Sequence, residues 1–180
     1  YQNTINEFNK LGIITPSFTY SKQTQNDLFN QIETGRISAN DFLLELQRRT
    51  KTATIKQITK AWNSMILELP NYRVTFLKSI KTQYTIYLLS NTNEIHIKAI
   101  KDKIGKKRWS EFCSLFKKTY LSHKIGLRKP NKDIFEHVLN EQNLNTHNVL
   151  FIDDSLQHIQ SANKLGINTY HLKYGEEIST

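Results

Sequence analysis

The stretch V-L-F-I-D-D-S, Val149 to Ser155, restricts the fold of this chain more than any other. Four apolar residues run into two adjacent aspartates and a serine, and apolar residues at helical spacing follow. A short apolar run bounded by polar turn residues predicts a strand over Val149–Ile152, buried on both faces as in a parallel sheet. Carboxylates at the end of such a strand stand where open α/β sheets bind ligands. Asp153 and Asp154 repel each other unless a cation shares them, and Mg²⁺, which takes hard oxygen ligands, would do so. On the pair alone a second reading stays open: one aspartate caps the next helix and the other is solvated.

The chain before this stretch changes character once. Up to Pro70 the apolar residues recur at helical spacing: Ile5, Phe8 and Leu11; Leu28, Phe29 and Ile32; Phe42, Leu43 and Leu46; Ile55, Ile58, Trp62, Met65 and Leu69. Gly12 and Gly35 stop the first two helices, Pro16-Ser17 marks a turn, and Ser38 with Asp41 three residues on forms a capping-box variant. After Pro70 strands and helices alternate. Tyr84–Leu89 is a β-branched, aromatic and apolar run that predicts a strand, and Lys118–Ser122 and Asn168–Leu172 predict two more. Helices are predicted on Val74, Leu77 and Ile80; on Ile97, Ile100 and Ile104; on Ile134, Phe135, Val138 and Leu139; and on Leu156, Ile159, Ala162 and Leu165. Strands alternating with helices indicate an α/β fold, a parallel sheet with helices on both faces. An all-helical unit over residues 1–70 precedes a sheet-containing unit over residues 71–180.

Composition narrows the classes. The 180 residues suit one domain, or a core with a small subdomain, and 9 Phe, 8 Tyr and 2 Trp are enough to fill it. A single cysteine, Cys113, excludes an internal disulfide and suits a reducing, cytoplasmic setting. No apolar run reaches the roughly 18 residues of a membrane span, and no signal peptide opens the chain. The net charge of +9 is concentrated between Lys98 and Lys129. Such a face attracts phosphate-bearing ligands. It comes without a nucleic-acid-binding motif, so a solvated basic surface is the preferred explanation.

Three clusters then fall at strand ends or in the loops beyond them. Ser90-Asn91-Thr92 offers a hydroxyl, an amide and backbone N–H groups at a helix start, a cradle for an anion. Lys129, fixed by Pro130, offers a compact ammonium suited to phosphate or carboxylate. Asp153-Asp154 offers the acids. The intervals between the three are each about one crossover unit.

The segments L-L-S-N-T-N, G-L-R-K-P-N-K-D-I-F and F-I-D-D-S with A-N-K-L-G-I resemble the haloacid dehalogenase-like hydrolases. More narrowly they are similar to the branch of sugar-phosphate phosphatases and epoxide-hydrolase N-domains. E-T-G-R-I-S before Phe42 is similar to that branch's helical cap. The resemblance implies a Rossmann-like core over residues 71–180 and a cap over residues 1–70. It implies that Ser90 and Asn91 bind the phosphoryl group, that Lys129 neutralises nucleophile and phosphate, and that Asp153 and Asp154 form the Mg²⁺ motif, Asp154 as the direct ligand. The family's nucleophilic aspartate ends a first, central strand ahead of the cap. Asp27 and Asp41 lie in helical patterns and do not match it. That strand is therefore expected upstream of Tyr1, and residues 1–180 alone are expected to be inactive.

The function implied is a Mg²⁺-dependent phosphatase of a small phosphorylated metabolite, a sugar phosphate as first choice, working through an aspartyl-phosphate intermediate. The alternatives are a catalytically inactive binding protein of the same fold, a metal-free haloacid dehalogenase, against which the paired acids argue, and a nucleic-acid-binding protein.

Overall fold

A computed structural model describes residues 1–14, 27–50 and 52–179. The turn expected at Pro16-Ser17 lies outside them. The chain forms two compact units, Tyr1–Gly126 and Leu127–Thr180.

The first unit begins with helices α1 (Gln2–Lys10), α2 (Asp27–Glu33), α3 (Ala39–Arg48) and α4 (Ile55–Trp62). Ser38 caps α3: its Oγ accepts from the Asp41 N–H at 3.1 Å and donates to the Asp41 carboxylate at 2.7 Å. Thr54 and Gln57 make a full capping box at the start of α4. The helical stripes meet on Trp62, whose ring lies 5.9 Å from Phe8, 5.6 Å from Phe29 and 5.0 Å from Phe42. All four side chains are fully buried, each stabilising the fold by roughly 1.5–3 kcal/mol.

Next come α5 (Asn71–Ile80), β1 (Tyr87–Ser90), α6 (Glu94–Ile104), α7 (Lys106–Cys113), β2 (Lys118–Leu121) and α8 (Ser122–Ile125). β1 and β2 pair in parallel, Tyr87 opposite Lys118 and Ser90 opposite Leu121. β1 starts three residues later than the apolar run predicts, because the Tyr84 N–H is taken by the Ile80 carbonyl at the end of α5. Helix α7 is absent from the sequence expectation: its Lys106-Lys107-Arg108 start reads as solvated charge. Part of that charge turns inward, where Arg108 donates to the Leu69 carbonyl at 2.9 Å and to Asn71 at 2.6 Å.

Residues on either side of Pro70 meet within the first unit. Trp62 also stacks on His96 of α6 at 4.7 Å and donates toward Asn93 Oδ1 at 3.4 Å. This buried contact joins the helical segment to the β1–α6 segment, so they form one compact body.

The second unit holds α9 (Lys132–Gln142), β3 (Leu150–Asp153), α10 (Leu156–Asn163) and β4 (Asn168–His171). β3 and β4 pair in parallel, Leu150 opposite Asn168 and Asp153 opposite His171. β3 is shifted by one residue from the predicted span, because the Val149 N–H closes a turn on the Thr146 carbonyl. Ile134, Phe135, Ile159, Ala162 and Ile167 are its buried core. Each unit thus carries a two-stranded parallel sheet with helices. In so narrow a sheet every strand is an edge, and β3 is accordingly half-buried, with Leu150 at 60% exposure. No helix among the described residues is long and apolar enough to cross a membrane.

Candidate active site

In the second unit, Asp153 is the last residue of β3 and Asp154 follows at the carboxyl end of the strand. The turn from β3 into α10 gives the Asp153 carboxylate its first partner: Oδ1 accepts from the Ser155 N–H at 2.8 Å. The second is His158, on the first turn of α10, with Nδ1 at 2.9 Å from the same oxygen. A carboxylate only accepts, so Nδ1 carries the proton. The third is Lys129, which donates from Nζ to Oδ2 at 2.6 Å. The side chains of Lys129 and Asp153 are 8% and 9% exposed, so this is a buried, charge-assisted contact. Lys129 also lies over the ring of Phe151 in β3, with Nζ 5.4 Å from its centre. The loop that presents the lysine is anchored, because Ser161 of α10 donates to the Pro130 carbonyl at 2.5 Å.

Burial alone would raise the Asp153 carboxyl. The His158 hydrogen bond, and then the charge and hydrogen bond of Lys129, outweigh it and hold the group well below the usual carboxylate range. Asp153 is therefore an anion at any pH near neutrality. Its neighbour is different in kind: Asp154 is exposed. The adjacent acids thus differ in burial: Asp153 is buried and bonded to Ser155, His158 and Lys129, and Asp154 is exposed.

The first unit places Ser90 at the carboxyl end of β1, half-buried, with Asn91 next to it. The loop from β1 into α6 is held by a residue that the sequence does not single out. Ser122, fully buried at the start of α8, accepts from the Thr92 N–H and donates to the Thr92 carbonyl, both at 2.9 Å. Asn93, the residue after the cluster, caps α6 by accepting from the His96 N–H at 3.0 Å.

Of the five predicted site residues, the structure thus brings Lys129 onto Asp153, with Asp154 adjacent, in the second unit. Ser90 and Asn91 belong to the first. His158 and Ser122 were missed. The available signal for His158 was its place, one helical turn beyond Asp154.

Among the described residues no group of three or more His, Cys, Asp or Glu side chains is placed to hold a metal ion by itself. Mg²⁺ does not need such a group, since it is commonly held by one or two carboxylates with waters and substrate phosphate. An exposed Asp154 suits that sparse coordination, whereas both oxygens of Asp153 already accept hydrogen bonds.

Residues 2–166 match the model of a hydrolase family, haloacid dehalogenase-like hydrolase. Over 177 residues the chain is 26% identical to the D-ribitol-5-phosphate phosphatase of Bacteroides thetaiotaomicron, covering 96% of this chain and 84% of that protein. It is similar to a crystal structure of a HAD family enzyme from the same organism, a mutant in complex with magnesium and inorganic phosphate. The TM-score is 0.87 at 33% identity, over 99% of this chain and 89% of that one. A HAD-like family hydrolase from Porphyromonas gingivalis is also similar, with a TM-score of 0.80 at 29% identity over 98% of this chain and 85% of that one.

Proposed function

We propose, given that this chain belongs to the haloacid dehalogenase-like hydrolase family, that it takes part in Mg²⁺-dependent hydrolysis of a small phosphoric monoester, a sugar or polyol phosphate. The observation that carries this reading is the buried Lys129–Asp153 pair at the carboxyl end of β3, beside an exposed Asp154. The magnesium and phosphate bound by the similar bacterial enzyme, and the polyol phosphate in the name of the similar phosphatase, support it.

On this reading Asp154 is the direct metal ligand and Asp153 organises Lys129. When bound, Mg²⁺ supplies positive charge to the phosphoryl oxygens. The Lys129 ammonium has three donors, and one is engaged by Asp153. Its positive charge acts on anionic oxygens in surroundings where burial strengthens the attraction. Ser90 and Asn91 are assigned to phosphate binding, through a hydroxyl and an amide beside the start of α6. Residues 1–70 are assigned to the cap that selects the substrate. The attacking carboxylate is assigned to the aspartate of the family's first motif, to which Asp27 and Asp41 do not correspond. Its attack on phosphorus forms an acyl phosphate and releases the alcohol, and water then releases phosphate. The free thiol of Cys113 suits a cytoplasmic enzyme.

The test is phosphate release by the full-length protein from an aryl phosphate and from a panel of sugar and polyol phosphates, with Mg²⁺ and with chelator. Turnover that requires Mg²⁺ and is fastest on a polyol or sugar phosphate is expected. No Mg²⁺-dependent turnover on any of them overturns the reading.

A further inference from the structure

We propose that His158 is a positioning residue for this reaction: by donating from Nδ1 to one oxygen of Asp153, it fixes the rotation at which the other oxygen holds Lys129. The inference rests on the phosphatase reading and deepens it.

The terminal torsion of an aspartate is soft and roughly two-fold, so a carboxylate tied at one point can swing. The Ser155 N–H supplies one tie to Oδ1 at 2.8 Å. His158 Nδ1–H supplies a second to the same oxygen at 2.9 Å. With two donors on Oδ1, Oδ2 is the oxygen presented to Lys129, at 2.6 Å. The second tie is built on a rigid part. His158 lies on the first turn of α10, its N–H bonded to the Ser155 carbonyl at 3.0 Å, and it is 8% exposed. Lysine is a flexible four-carbon stem, so its terminal contacts, that with Asp153 among them, decide where the charge sits. In reactions governed by placement, a displacement of about 1 Å costs about 10²-fold in rate. His158 itself reaches no substrate on this account; it acts through Asp153.

The geometry separates the hydrogen bond from the bulk of the ring. Nδ1 of histidine and Nδ2 of asparagine stand the same number of bonds from the backbone, so His158→Asn keeps a donor near Asp153 Oδ1. His158→Leu keeps apolar volume and removes the donor. In the full-length protein with an aryl phosphate and saturating Mg²⁺, the Leu variant is expected to lose about 10- to 100-fold in kcat with KM within about threefold of wild type. The Asn variant is expected to recover most of that loss. Thermal unfolding of each variant establishes that the fold is retained. Wild-type kcat in a folded Leu variant overturns the proposal, as does an Asn variant as slow as the Leu variant, which would assign the ring a packing role.

A second measurement does not depend on turnover. Nitrogen-detected NMR of the histidine rings, assigned through the Asn variant, should show His158 protonated at Nδ1 with a slowly exchanging, low-field proton. A neutral ring protonated at Nε2 alone overturns the proposal. A wild-type protein without Mg²⁺-dependent turnover defeats the phosphatase reading instead, and the ring signal then still decides whether His158 holds Asp153.

Discussion

Acid should weaken the fold through one buried histidine, and the size of the effect follows from its surroundings. His96 is 8% exposed and is bonded as a neutral ring. Its Nε2 faces the Trp62 carbonyl at 3.2 Å, and its Nδ1 faces the amide nitrogen of Asn93 at 3.1 Å. Nε2 therefore holds the proton and Nδ1 accepts. A second proton would turn Nδ1 toward another donor, in a buried site where the charge is poorly solvated. Burial lowers the pKa from 6.5 to about 4, against a smaller opposing effect of the Trp62 carbonyl. As pH falls below 6.5 the unfolded chain takes up this proton and the native protein does not, so stability declines until the native ring also protonates near pH 4. At 1.36 kcal/mol per pH unit, the loss across that window is about 3 kcal/mol. Urea unfolding between pH 7 and pH 4, followed by tryptophan fluorescence, measures it. His96→Gln, which cannot titrate, should be less stable at neutral pH but should lack this slope. Subtracting the two profiles removes the contribution of His123, whose pKa is lowered chiefly by burial. Parallel loss of stability in wild type and variant would refute the reasoning.

Two further substitutions test particular contacts. Lys129→Met leaves the buried Asp153 carboxylate without its cation and should cost about 3 kcal/mol in urea unfolding at pH 7; a change below about 1 kcal/mol would mean that Ser155 and His158 suffice to hold the anion. Gly35→Ala should lower the melting temperature, because Gly35 has φ +67° and an added Cβ would stand 2.3 Å from the backbone oxygen of His123. The cost is at least the roughly 1–3 kcal/mol of a strained backbone, and an unchanged melting temperature would contradict the close approach.

Much of this was legible in the residues because local rules governed it. The stripes through Phe8, Phe29, Phe42 and Trp62 became the core, and Ser38 capped its helix. What was not legible depended on partners distant in sequence. No periodicity indicates that His96 will stack on Trp62 and join the helical segment to β1 and α6. Ser122 reads as an ordinary strand-end serine until Thr92 folds onto it. His158 reads as a polar residue of a surface helix until the β3–α10 turn brings it to Asp153. β1 came out shorter than its apolar run and β3 shifted by one residue, because neighbouring turns claim Tyr84 and Val149, and β3 is less buried than expected because each sheet among the described residues has two strands.

The centre of the account is the proposed division of the acidic pair: Asp153 holds the lysine, and the exposed Asp154 is assigned to the metal. Its most direct test is the Mg²⁺ concentration dependence of turnover in the full-length protein and in its Asp154→Asn variant. The account predicts that half-saturating Mg²⁺ rises at least about tenfold in the variant, a loss of about 1.4 kcal/mol or more in metal binding. An unchanged Mg²⁺ dependence in a folded, active Asp154→Asn protein would contradict it.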